Sequence, residues 1–83
     1  MTLLYFAWVR QTLGKTQETL ALPSDIATVA ELAAYLTTLG PDYAAVFANP
    51  ARLRAAVNQE HARFDAQINA DDEVAFFPPV TGG

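Results

Sequence analysis

The sequence has 83 residues, the size of one small domain, and 52% of them are hydrophobic. A chain of this size buries about 60–65% of its unfolded surface, so the core is small, but the composition excludes a disordered chain. There is no cysteine, which excludes disulfides, thiolate metal ligands and a cysteine nucleophile. We therefore expect a single domain over residues 1–83, located in the reducing cytoplasm.

The formal net charge is −4, from nine acidic and five basic side chains. The basic residues are spread along the chain, whereas nucleic acids and anionic membranes bind to a basic patch. No apolar run reaches the roughly 18 residues that span a bilayer. The first basic residue is Arg10, too far along for the start of a secretory signal. We expect neither nucleic acid nor membrane as a partner, and we expect any charged partner surface to be basic.

The first half of the chain predicts a β-hairpin followed by a helix. Residues 2–9 are rich in aromatic and branched side chains and are typical of a strand. A turn over residues 10–14 and a second strand over 16–22 complete the hairpin. Thr28 and Glu31 have the spacing of a capping box, which begins the clearest helix. Its apolar residues lie on one face: Val29, Leu32, Leu36 and Leu39.

The second half predicts a short helix over residues 43–48 and three more strands. These strands are expected over residues 53–58, 61–64 and 73–77. Pro78 and Pro79 end the last strand because neither has an N–H group to donate. The order of elements is α+β, and placing the first and last strands side by side gives a β-grasp, one of several compatible folds. We expect a mixed sheet of about five strands covered by one main helix, with residues 78–83 as a flexible, projecting tail.

The first and last strands are apolar on both faces. Tyr5 alternates with Phe6 in the first, and Phe76 alternates with Phe77 in the last. We assign Tyr5 and Phe76 to the core, and Phe6 and Phe77 to an exposed patch, because exposed apolar surface often marks a protein–protein contact. The alternative is that the short helix or a loop covers this second face.

The side chains offer no good candidate for catalysis. His61 and Ser24 are the only residues of their types, and the acidic run 71–73 lacks the spacing of a calcium loop, so no metal site is expected. Gly82 and Gly83 end the sequence, and without side chains such an end can thread a narrow channel. Two interpretations stay open: the Gly83 carboxylate reacts after activation by ATP, or the two glycines are a plain tail.

Three stretches resemble the sulfur-carrier (small) subunits of molybdopterin synthase. They are residues 4–10 with Gly14, residues 55–59 (Ala-Ala-Val-Asn-Gln), and residues 72–83 with Phe64-Asp65 before them. The ending Pro-Pro-Val-Thr-Gly-Gly is the specific part, since thiamine-pathway carriers and ubiquitin-like modifiers share only the final Gly-Gly. This resemblance implies a β-grasp fold.

The resemblance also implies a role in molybdenum cofactor biosynthesis. An ATP-using adenylyltransferase of the ubiquitin-activating type adenylates Gly83, and a sulfurtransferase converts it to a thiocarboxylate. The tail then enters the large synthase subunit and gives its sulfur to cyclic pyranopterin monophosphate, and two such deliveries build the molybdopterin dithiolene. Two small and two large subunits form the synthase. The carrier counts as an enzyme only as the sulfur-donating subunit of the synthase. It is expected to bind no cofactor, because ATP is used by the activating partner.

The resemblance further implies which residues meet these partners. The expected contacts are Phe6, Arg10, His61, Phe77, Pro78, Pro79, Val80 and Thr81, with Gly82 and Gly83 as the reacting end. At His61 the family commonly has an aliphatic residue. Two alternatives share the fold: a sulfur carrier for thiamine, cysteine or tRNA thiolation, and a ubiquitin-like modifier.

Overall fold

The computed structural model describes residues 1–79. Within them, five strands form one mixed sheet: β1 (Thr2–Tyr5), β2 (Gln17–Thr19), β3 (Arg54–Val57), β4 (Glu60–Ala62) and β5 (Glu73–Phe77). The helices of this part of the chain are α1 (Ala7–Leu13), α2 (Val29–Leu36) and α3 (Pro41–Phe47), with 3₁₀ turns at Thr37–Leu39 and Pro50–Arg52. None of these helices is long and apolar enough to cross a membrane.

The first and last strands lie side by side, as the sequence predicted. The strand order is β2-β1-β5-β3-β4, in which β1 and β5 are parallel and the other pairs are antiparallel. Tyr5 is in register with Phe76, and the backbone N–H of Phe6 still donates to the carbonyl of Phe76 at 3.2 Å. Both strands therefore end at the same edge of the fold, from which residues 78 and 79 continue.

The core lies between one face of the sheet and the helices. Tyr5 and Phe76 are buried there, as predicted, and the ring of Phe47 on α3 packs edge-on against Phe76 with 4.9 Å between centroids. The largest fully buried side chains are Tyr5, Phe47, Phe76, Leu3, Leu32, Leu36, Leu53, Val9, Val29, Val46 and Val74. All except Leu53, which directly precedes β3, come from β1, β5 and the three α-helices, so one continuous apolar cluster holds these elements together.

Helix α2 begins with the predicted capping box. The Glu31 N–H donates to Thr28 Oγ1 and the Thr28 N–H donates to Glu31 Oε1, both at 3.2 Å. The sequence placed Leu39 on the apolar face of this helix, but α2 ends at Leu36 and the Leu39 side chain is 42% exposed. The helix tightens to a 3₁₀ turn at Thr37, and the changed rotation per residue moves Leu39 off the buried stripe.

The predicted strand over residues 2–9 is wrong beyond Tyr5. The chain leaves the sheet at Phe6, Ala7 takes a left-handed φ of 54°, and α1 runs to Leu13. Val9 and Leu13, four residues apart, are its buried residues. Gly14 ends the helix with a φ of 73°, and its N–H donates to the Arg10 carbonyl. Aromatic and branched residues suggested a strand, but the spacing of Val9 and Leu13 before a glycine is the signal of a short helix.

The remaining boundaries differ from prediction by only a few residues. The β3–β4 turn lies at Asn58-Gln59, one residue earlier than expected, and both residues have positive φ (51° and 71°). Two such residues form the tight hairpin turn that matches the twist of the flanking strands. Strand β5 has the predicted limits, Glu73–Phe77.

Candidate functional site

The face of the sheet opposite the buried core side chains carries an apolar strip, here called the open face. In register across the strands lie Leu4 (β1), Ala75 (β5), Ala56 (β3) and His61 (β4). Phe77 follows on the same face of β5, because side chains two residues apart in a strand share a face. Small alanines lie in the centre of this strip, with larger side chains on either side.

Two of the predicted contact residues, Phe77 and His61, touch each other on the open face. The His61 and Phe77 rings meet edge to face, with centroids 5.5 Å apart and planes at 87°. Phe77 is half-buried, whereas His61 is exposed. The third, Phe6, is 47% exposed and lies just past the end of β1, beside the end of β5. Of the predicted exposed patch, Phe6 is exposed and Phe77 is only partly so. Contact of either residue with a partner stays a prediction.

The other predicted contact residues surround the point where β5 ends. Arg10 is exposed on α1, one helical turn after Phe6. Pro78 and Pro79 are half-buried and belong to no strand, so β5 stops where the sequence predicted. Val80, Thr81, Gly82 and Gly83 lie outside the described residues.

A polar cluster that the sequence did not indicate ties four elements together beside the core. Glu18 Oε2 accepts hydrogen bonds from the Tyr5 hydroxyl at 2.6 Å and the Tyr43 hydroxyl at 2.8 Å. Lys15 Nζ donates to Glu18 Oε1 at 3.3 Å and to the Tyr43 hydroxyl at 3.0 Å. Strands β1 and β2, helix α3 and the segment after α1 are thus joined. All four groups have a partner in the cluster, so its role is to hold these elements in place.

The pKa values in this cluster follow from its geometry. Burial disfavours the Glu18 carboxylate, but the hydrogen bonds from Tyr5 and Tyr43 and the charge of Lys15 outweigh burial and lower its pKa. Burial, and then the adjacent Glu18, raises the pKa of Tyr5 far above its ordinary value. Glu18 therefore stays charged and Tyr5 stays protonated at neutral pH.

All five basic residues lie at the end of the sheet where β5 finishes. Arg10 and Lys15 are in the excursion between the end of β1 and the start of β2. Arg52 and Arg54 precede and begin β3, whose first residue pairs with Phe77, and Arg63 directly follows β4. The fold thus brings to one end basic residues that are far apart in sequence. The expectation that neither nucleic acid nor membrane is a partner stays a prediction.

The described residues present no other centre of chemistry. Residues 1–79 contain no group of three or more His, Cys, Asp or Glu that could hold a metal ion. Within the same span every buried side-chain N or O atom has a hydrogen-bond partner. A groove of about 410 Å³ lies on the helical side, lined by Phe47, Phe64 and small residues of α2, and none of the predicted site residues lines it.

The five-stranded mixed sheet and the helices packed against one face of it make this protein a ubiquitin-like β-grasp domain. The solved structure of Haloferax volcanii small archaeal modifier protein 1 has a TM-score of 0.76 with this chain, at 27% identity, and the match covers 96% of this chain and 97% of that one. The predicted β-grasp fold is confirmed.

The chain belongs to the ThiS family, whose model matches residues 3–83. It is 40% identical over 80 residues to the molybdopterin synthase sulfur carrier subunit of Escherichia coli, covering 96% of this chain and 95% of the relative. It is 32% identical over 83 residues to the subunit of the same name from Haemophilus influenzae, covering 100% of this chain and 99% of the relative. The resemblance drawn from the sequence is confirmed.

Proposed function

We propose that this protein is the sulfur carrier subunit of a molybdopterin synthase. The observation that carries the proposal is the similarity, over nearly the whole length of both chains, to relatives of that name. The open face is consistent with it, because a carrier must dock on partners before its end can react. The chain's own part in catalysis is then sulfur donation from Gly83, with no side-chain acid, base or nucleophile.

The chemistry begins with activation of a poor acylating group. A Gly83 carboxylate oxygen attacks the α-phosphorus of ATP on a separate adenylyltransferase, and pyrophosphate leaves. A sulfur nucleophile at the oxidation level of hydrosulfide, supplied by a sulfurtransferase, then attacks the acyl adenylate. The C–S bond forms, AMP leaves, and Gly83 ends in a thiocarboxylate. No redox step is needed, because the sulfur arrives already reduced.

In the donation step the Gly83 carbonyl carbon loses the sulfur that it gained during loading. In the large subunit, the thiocarboxylate sulfur bonds to an oxygen-bearing side-chain carbon of cyclic pyranopterin monophosphate, giving a thioester. As the C–S bond forms, the C–O bond of that carbon breaks, and the oxygen either takes up a proton and leaves as water or stays on the phosphate of the substrate. Water cleaves that thioester at the Gly83 carbonyl, which leaves the sulfur on the pterin and restores the carboxylate. A second carrier delivers the second sulfur of the dithiolene. Each substrate molecule therefore consumes two loaded carriers, and the proposed synthase contains two small and two large subunits.

Docking precedes threading in this scheme. Phe6, His61 and Phe77 contact the partner through apolar surface, and residues 78–83 then extend into its active site. Glycine at 82 and 83 keeps the end narrow and leaves the backbone free to take angles that other residues resist. The same surface serves the adenylyltransferase and the large subunit in turn, so the two partners exclude each other.

Intact-mass spectrometry tests the loading step. The chain is incubated with ATP, the adenylyltransferase and a sulfur source, and its mass should rise by the difference between one sulfur and one oxygen. A matched sample without ATP should not change. Modification confined to isopeptide-linked products, with no thiocarboxylate, would favour a ubiquitin-like modifier. An unchanged mass with an enzyme that activates another carrier would contradict the proposal.

A further inference from the structure

The end of the fold from which residues 78 and 79 emerge is basic, although the protein is acidic overall. Four arginines lie there, here called the arginine rim: Arg10, Arg52, Arg54 and Arg63. At the opposite end, where β5 begins and β3 turns into β4, lie four carboxylates: Glu60, Asp71, Asp72 and Glu73. These eight side chains give the sheet a basic end and an acidic end along the strand direction, in a chain whose net charge is −4.

Within residues 1–79, three of the four rim arginines have no carboxylate partner. In residues 1–79 the ion pairs are Lys15–Glu18 and Arg63–Asp65, the second at 3.4 Å and largely exposed. An exposed pair of this kind contributes little and exchanges partners easily. Arg54 Nη1 donates to the Leu53 carbonyl at 2.9 Å, which orients the guanidinium without cancelling its charge. All four rim arginines are exposed.

The rim is positioned as well as exposed. The Arg52 guanidinium carbon lies 4.6 Å from the centre of the Trp8 ring, which holds the 3₁₀ turn before β3 against α1. Arg54 is in register with Phe77, so it borders the open face on the same side of the sheet. Arg63 follows the β4 segment that carries His61. The positive charges thus border the apolar open face and continue around the end of β5.

We propose that the arginine rim, chiefly Arg54 and Arg63, docks on an acidic surface around the entrance through which the large synthase subunit receives the C-terminal residues. The inference rests on the proposed function. Apolar contact at Phe77 gives affinity, whereas charge at the rim steers the encounter and aligns the end with the entrance. The net charge alone predicts a basic partner surface instead, and that expectation stays untested.

The inference predicts a salt-dependent association rate. Screening shortens the range of exposed charges from about 30 Å at about 0.01 M salt to about 3 Å at about 1 M. Association of the chain with the large subunit should therefore slow steeply as salt is added, while the dissociation rate, set by the apolar contact, should change little.

The test compares two double variants that change the net charge equally. Arg54→Gln with Arg63→Gln removes two positive charges at the rim. Ala21→Glu with Ala70→Glu adds two negative charges at exposed positions near the opposite end. Stopped-flow association with the large subunit should be about five- to tenfold slower for the arginine variant at about 0.01 M salt, and equal to wild type at about 1 M. The glutamate variant should stay within about twofold of wild type.

The outcomes separate the inference from the proposed function. Equal slowing by both variants, or no slowing by either, would overturn the rim as a docking surface while sulfur transfer by the wild type remained intact. If the arginine variant instead lost binding to a single-stranded oligonucleotide, with unchanged association with the large subunit, the rim would be a nucleic-acid surface and the inference would be wrong. If the wild type neither bound the large subunit nor yielded molybdopterin, the proposed function would fail and the inference with it.

Discussion

Phe76 and Phe77 are neighbours in the sequence and lie on opposite faces of the sheet. Phe76 is fully buried against Phe47, whereas Phe77 is half-buried on the open face against His61. One strand therefore contributes both to the core and to the predicted docking surface. Substituting each phenylalanine in turn therefore separates an effect on partner binding from an effect on the stability of the fold.

Phe77→Ala should weaken binding to the large subunit by about 2 kcal/mol or more, because it removes the central apolar anchor of the open face. Phe76→Ala, the control, should lower the free energy of unfolding by about 3–5 kcal/mol through loss of buried contacts. Calorimetric titration and denaturant unfolding measure the two quantities. A large loss of stability for Phe77→Ala without loss of affinity would show that Phe77 belongs to the core.

His61→Leu should preserve binding to within about 1 kcal/mol, because leucine keeps an apolar group against Phe77. His61→Asp should weaken it by several-fold, because it desolvates a charge beside an apolar ring. Surface plasmon resonance at neutral pH measures the affinity of both variants for the large subunit. Thermal unfolding shows whether each variant keeps its fold. Equal affinity of the aspartate variant and the wild type would place His61 outside the interface.

Glu18→Gln should lower the free energy of unfolding at neutral pH by about 1–3 kcal/mol, because charged hydrogen bonds to Tyr5 and Tyr43 are replaced by weaker ones. The lowered pKa of Glu18 sets the sign of the pH dependence. The ordinary pKa of a glutamate side chain is 4.5. As the pH falls through that value, Glu18 takes up a proton in the unfolded chain before it does so in the folded one. The advantage of wild type over the variant should therefore shrink in acid.

Urea unfolding of wild type and Glu18→Gln over a series of pH values measures that advantage. At the alkaline end, the raised pKa of Tyr5 has the opposite consequence: the unfolded tyrosine ionises first, so wild-type stability should fall above about pH 10. An advantage that stayed constant into acid would show that the cluster does not stabilise the charged form of Glu18.

Deleting Gly83, or adding one residue after it, should abolish sulfur transfer and leave the midpoint of thermal unfolding nearly unchanged. The core side chains that the structure describes lie between Leu3 and Phe76, and glycine has no side chain to add to an apolar core, so we expect the core to be kept. Ser24→Ala, in an exposed turn, serves as the control and should keep full activity. Molybdopterin production by either Gly83 variant would show that the terminal carboxylate is not the reacting group.

Much of the fold could be predicted from local signals. The capping box of Thr28 and Glu31 and the limits of β5 depend on short-range chemistry, and both are confirmed. The excursion after Tyr5 was missed because Trp8 and Val9 favour a strand when taken one at a time. Tertiary packing decides there: Val9 and Leu13 are buried by turning the chain into α1.

The candidate site was predictable in part. Alternation along two strands assigned Phe6 and Phe77 to an exposed patch, and the fold places both beside the end of β5. The edge-to-face contact of His61 with Phe77 needed the register of three strands, which no local pattern supplies. The arginine rim was hidden for the same reason, since Arg10 and Arg63 are adjacent to the same end only after the sheet forms.

Sulfur travels on Gly83 in the proposed mechanism, and transfer from a preloaded chain provides the sharpest test. The thiocarboxylated chain, purified away from ATP and the adenylyltransferase, is mixed with the large subunit and cyclic pyranopterin monophosphate. We expect molybdopterin to form and two thiocarboxylates to return to carboxylates for each product. A thiocarboxylate that persists beside an active large subunit, with no dithiolene formed, would contradict that mechanism.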